Sequence, residues 1–109
     1  MEVNPSADDL RRYQLQTKLE EILGSSNVYF QPPSNRKIQY PCIIYQLDRM
    51  DARYADDVPY SRHKAYQVTW IGDDPDSDIP DQIGLLPMSS WVRFYIADNL
   101  NHHVYRVYW

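Results

Sequence analysis

Apolar positions near the start of the chain recur at three- and four-residue intervals. Leu15, Leu19, Ile22 and Leu23 therefore share one stripe of a helix, while Arg11, Arg12, Lys18, Glu20 and Glu21 supply its polar surface. Ser6 is placed to cap this helix, Asp8 and Asp9 suit the positive end of its dipole, and Gly24 provides a stop. A stripe this narrow needs a sheet to lie on. After the turn Ser25-Ser26-Asn27, the triplet Val28-Tyr29-Phe30 reads as a short edge strand closed by Pro32 and Pro33.

From Cys42 the period changes to two. Residues 42–50 read as a strand with Ile43, Tyr45 and Leu47 on one face and Ile44 and Gln46 on the other. Residues 62–71 read as a second strand, setting Tyr66, Val68 and Trp70 against Ala65, Gln67 and Thr69. The two are expected to pair. Between them, residues 51–61 mix both charge signs with Pro59 and read as a loop longer than most hairpin turns, a length usually reserved for function or movement. The run Asp73-Asp74-Pro75-Asp76-Ser77-Asp78 breaks the second strand and precedes a short helix at 76–86, with Ile79, Ile83 and Leu86 inward and Pro87 at its end. Strands at 90–97 and 103–109, joined by the turn Asp98-Asn99-Leu100-Asn101, complete the pattern.

The order is helix, short strand, strand, strand, helix, strand, strand. It predicts one α+β domain over residues 1–109: a mainly antiparallel or mixed sheet of about four to five strands, with an N-terminal helix and a second short helix packed on it. The last strand, Val104-Tyr105-Arg106-Val107-Tyr108-Trp109, is apolar or aromatic on both faces. Such a run is either a central core strand or an edge that a partner covers.

Composition narrows the function classes. With 109 residues, 43% of them hydrophobic and 14% aromatic, including 10 Tyr, the chain is globular and has one core. A single cysteine, Cys42, rules out an internal disulfide and any multi-cysteine zinc site. The N-terminus lacks the basic and then apolar run of a signal peptide, and no apolar stretch approaches the roughly 20 residues of a membrane span. The expectation is assembly in the cytoplasm without contact with a membrane. A net charge of -4 argues against gripping phosphates, though not against DNA that slides past.

Candidate chemistry is sparse. The alternating carboxylates Asp73, Asp74, Asp76 and Asp78 invite a calcium reading. An EF-hand loop counted from Asp74 would put Ile79 where glycine is needed and Leu85 where glutamate is needed. His102 and His103 are consecutive in a strand and point to opposite faces, so they do not share a metal. Cys42 heads an apolar strand with no histidine signature, and Gly24, Gly72 and Gly84 are too dispersed for a phosphate-cradling loop. We therefore assign no catalytic, cofactor-binding or metal-binding residue and expect a protein that is not an enzyme. The one rich constellation interleaves Arg36, Lys37, Arg49, Arg53, Arg62 and Lys64 with tyrosines and with Asp48, Asp51, Asp56 and Asp57. Its mixed charges fit a protein–protein interface better than a nucleic-acid face. The residues expected to lie in that interface are Arg49, Arg53, Tyr54, Asp56, Asp57, Tyr60 and Arg62.

A tyrosine-bearing strand is followed by Tyr54-Ala55-Asp56-Asp57, Tyr66-Gln67-Val68-Thr69-Trp70-Ile71, Asp74-Pro75-Asp76-Ser77, Leu86-Pro87 and Asp98-Asn99-Leu100-Asn101-His102. Over about two thirds of the chain this succession resembles the tail terminator, or tail completion, proteins of long-tailed bacteriophages. The resemblance implies a virion structural protein that forms a homohexameric ring at the head-proximal end of the tail tube. It would stop tube polymerisation and provide the head-joining surface, with no active site and no cofactor. Its partners would be further copies of itself, the tail tube protein and a head-completion or connector protein, with DNA passing through unheld. The 51–61 segment would touch a neighbour, the tube or the connector, and Asp73, Asp74 and Asp76 would face the lumen. Alternatives are another neck component, such as a head-completion or connector adaptor, and a small metal-dependent hydrolase using residues 73–78 with His102 or His103.

Overall fold

A computed structural model of the protein describes the backbone of residues 7–55 and 58–109 and the side chains of residues 10–48 and 64–109. The elements run α1 (Ala7–Leu23), β1 (Val28–Phe30), β2 (Cys42–Ala55), β3 (Val58–Gly72), α2 (Ile79–Gly84), β4 (Ser89–Ala97) and β5 (Leu100–Tyr108). They form the expected α+β arrangement, one mixed five-stranded sheet in the order β1-β2-β3-β5-β4. β1 runs parallel to β2, and every other pairing is antiparallel.

Both helices lie on one face of the sheet. Leu15 and Leu19 of α1, with Ile83 of α2 and Leu86 just after it, bury against Ile43, Tyr45, Tyr66, Val68, Trp70, Tyr105 and Val107. These strand residues stand opposite one another in the ladder, Ile43 beside Trp70 and Tyr45 beside Val68, so one face of the pleat supplies the core. Leu47 continues that row but is exposed, lying past the last β1 pairing, Phe30 with Tyr45. Polar groups fix the seat of α1. The Tyr45 hydroxyl donates to Gln16 Oε1 at 2.6 Å, and Gln16 Nε2 donates to the Val28 carbonyl at 3.0 Å. The Arg12 guanidinium rests 4.4 Å from the Phe30 ring centroid, covering apolar surface while its charge stays near water.

Gly24, with φ of 79°, ends α1 by donating its N–H to the Glu20 carbonyl at 2.8 Å. Ser6 lies outside the described residues, as do the side chains of Asp8 and Asp9. The second helix is shorter than its pattern predicts. Residues 73–78 fold as turns in which Asp74 Oδ1 accepts the Asp76 N–H and the Ser77 hydroxyl accepts the Ile79 N–H. Asp78 sits at the cap position without a side-chain bond to the helix backbone and instead accepts from Gln82 Nε2.

One expectation is overturned. Residues 51–61 are not a long loop: β2 and β3 stay in register from Asp51 opposite His63 out to Ala55 opposite Val58, leaving only Asp56 and Asp57 between the strands. Mixed charges and Pro59 read as a loop because this segment carries no apolar alternation in its sequence. β5 leaves β3 at Ala65 opposite Tyr108, with one further bond from the Trp109 N–H to the Lys64 carbonyl. Past that point the hairpin continues as a two-stranded arm, with no third strand among the described residues.

Candidate assembly interface

The sheet order places β5 in the interior, between β3 and β4. Val104, Tyr105 and Val107 are accordingly buried, and Trp109 packs against the core. Of the two readings of the final strand, the central core strand is the one adopted. The strand that lacks cover is β4. One of its edges pairs with β5 and the other pairs with no strand among the described residues. Its side chains carry the apolar surface that the C-terminal run was expected to show. Trp91 is 60% exposed and Ile96 65%, and Val92, Phe94 and Tyr95 are exposed as well.

Local sequence accounts for this geometry. Asp98 and Asn99 both take positive φ, 52° and 62°, forming the two-residue turn whose twist suits a tight hairpin. That turn fixes Ala97 opposite Leu100, Phe94 opposite His103 and Tyr95 opposite His102. A bulge at Val92 shifts the register between Trp91 and Arg93. From Arg93 onward the faces alternate. Phe94 lies on the helix side, where the His103 ring bridges it to Trp70 at centroid distances of 4.8 and 5.8 Å. Tyr95 lies on the open side, stacked on His102 at 4.5 Å with Arg93 5.3 Å from its centroid. α1 packs over β1 and β2, and the six-residue α2 reaches β5 and β4, yet Trp91, Phe94 and Ile96 on that side of β4 stay exposed.

The sheet face away from the helices is open only in the sense that no helix lies on it among the described residues. It is polar along the row Gln46, Gln67 and Arg106, where Arg106 Nε bonds Asp48 Oδ2 at 2.7 Å, while Ala65, Thr69, Ile71 and Val104 on the same face are buried. His102 and His103 point to opposite faces, as their spacing requires. Burial lowers the His103 pKa, an effect only partly offset by the nearby Asp81 carboxylate. Burial pushes the Cys42 thiol up to about 12, so it stays protonated at the head of β2.

Of the anticipated interface residues, Arg53, Tyr54, Tyr60 and Arg62 lie on the arm, and Arg49, opposite Ala65, lies at its root. Arg49, Arg53 and Tyr54 lie in β2, and Tyr60 and Arg62 lie in β3. Their side chains, and Asp56 and Asp57 entirely, lie outside the described residues. Asp73, Asp74 and Asp76 are exposed on the turns between β3 and α2, near the hairpin end of β4 and β5, where Gly72 pairs with Asn101. Among the described residues, no three His, Cys, Asp or Glu side chains converge as metal ligands would. Sequence reasoning missed the β4 edge. Its available signal was the run Trp91-Val92-Arg93-Phe94-Tyr95-Ile96, apolar on both faces with a single charge.

No known protein family, curated protein or solved structure was found to match this chain.

Proposed function

We propose that this protein is an assembly subunit of a long-tailed phage virion, forming a homohexameric ring at the head-proximal end of the tail tube. There it ends tube polymerisation and presents the surface to which the head joins. The observation that carries the reading is the unpaired, apolar edge of β4. Proteins that remain monomeric blunt such edges with lysine, proline or a covering loop, whereas this one offers a ready template for another chain. The phage assignment itself comes from the resemblance of residues 40–109 to tail terminator proteins.

Two further features agree with it. The arm carries Arg53 and Arg62 beyond the body of the sheet, with Arg49 at its root, a reach suited to a neighbouring subunit, the tube or a connector. The exposed Asp73, Asp74 and Asp76 would line a passage that repels DNA, so that it moves without sticking.

The test is complementation of terminator-deficient lysates with purified protein, followed by electron microscopy of the tubes. Capped tubes of uniform length and restored head joining are expected. Protein that neither binds tube ends nor restores joining sinks the assignment, and density elsewhere in the neck moves the subunit to an adaptor role.

A further inference from the structure

We infer that, before assembly, two copies of this chain pair through their β4 edges, antiparallel about a two-fold axis at Tyr95. The inference rests on reading β4 as the assembly edge and does not depend on the phage assignment. Alternate residues of an edge strand aim their backbone N–H and C=O groups outward, so any strand laid alongside β4 gains a ladder. The opposite edge of the sheet is a poor match. β1 has three residues and is followed by Gln31 at φ of 44° and then by Pro32 and Pro33.

A second β4 fits, and the charges select its register. Centring the pair on Arg93 would oppose two guanidiniums, and centring it on Phe94 would leave them only two positions apart. Centring it on Tyr95 separates the two Arg93 residues by four positions, roughly 13 Å along the strand, and keeps the bulged Val92 out of the ladder. In that register Phe94 faces the partner's Ile96 on the helix side, an aromatic and β-branched pair of the favoured kind. The two Tyr95 rings meet on the open side.

At each end Arg93 stands opposite the partner's Ala97, beside the partner's Asp98. Within one chain Arg93 rests over the Tyr95 ring and Asp98 is exposed, and among the described residues neither has an ion-pair partner. The two-fold supplies both partners, twice. A closed pair of this kind occupies both edges and cannot propagate, so it shields the strand until a ring or tube displaces the second copy.

The experiment uses the full chain. Sedimentation equilibrium is expected to show a dimer forming in the range of about 10–100 µM, as suits a small interface. Arg93→Glu sets two carboxylates together at each end and should weaken the dimer about tenfold. Asp98→Asn added to that variant should recover most of the loss, since asparagine tolerates the same turn. Tyr95→Cys should form a disulfide dimer on oxidation, and Trp91→Cys should not. A chain that stays monomeric at about 500 µM, a double variant as weak as Arg93→Glu, or equal crosslinking at both positions overturns the pairing. If such a monomer still caps tubes, the assembly reading stands without the dimer. If a dimer forms but never caps tubes, the dimer stands and the tail assignment falls.

Discussion

At Gly72 an added methyl carbon would lie 2.5 Å from Cζ2 of Trp70, whose ring leans back over the strand. Trp70 is buried in the core and cannot swing away. Gly72→Ala should therefore cost about 1–3 kcal/mol, read as a lower midpoint in urea with an unchanged slope. The Tyr45 hydroxyl presents a different kind of constraint. Tyr45→Phe removes the donor to Gln16 Oε1 with little change of shape, so a loss of about 0.5–1.5 kcal/mol is expected by the same measurement. His103 sets a pH dependence. Its folded pKa lies below the ordinary 6.5, so the unfolded chain takes up the proton first. Stability should be full above about pH 6.5 and fall as the pH drops toward the folded value. His103→Gln should flatten that slope in thermal melts across the same window.

Among the elements, β4 and the β2–β3 arm separate what the alternation of residues conveys from what it does not. A period of two identifies a strand and its faces, and Tyr66, Val68 and Trp70 turned inward as their spacing required. It carries no information about whether a strand is interior or at an edge, because the backbone edges make no demand on side-chain polarity. For that reason the aromatic runs of β4 and β5 look alike in sequence, yet β5 is sandwiched between two strands and β4 is not. The arm was illegible for the opposite reason. Its sequence lacks the apolar alternation that marks a strand, and Pro59 is tolerated where one side of the strand has no neighbour among the described residues. Ile96 offers the cleanest element-scale test. It is 65% exposed, so Ile96→Lys should leave the unfolding free energy nearly unchanged, within about 0.5 kcal/mol, while abolishing attachment to tubes in a pelleting assay.

For the molecule as a whole, the order of elements and the α+β class were readable from residue pattern alone. The exposed apolar edge needed the strand order, which places β4 outermost although β5 follows it in the chain. Charge is segregated only in part, since the arm carries Asp51, Asp56 and Asp57 as well as Arg53 and Arg62. Five aspartates, Asp73, Asp74, Asp76, Asp78 and Asp81, fall within nine residues at one end of β3, and the Arg-bearing arm extends from the other. The exposure of β4 also has an optical consequence. The chain has three tryptophans: Trp70 is sealed in the core, Trp109 is half-buried against it, and Trp91 stands on the open edge. Iodide should quench the red-shifted part of the emission that belongs to Trp91 and leave Trp70 dark to it. Any event that covers the edge should shift that emission to the blue and protect it, so occupancy of β4 can be followed in solution without attaching a label.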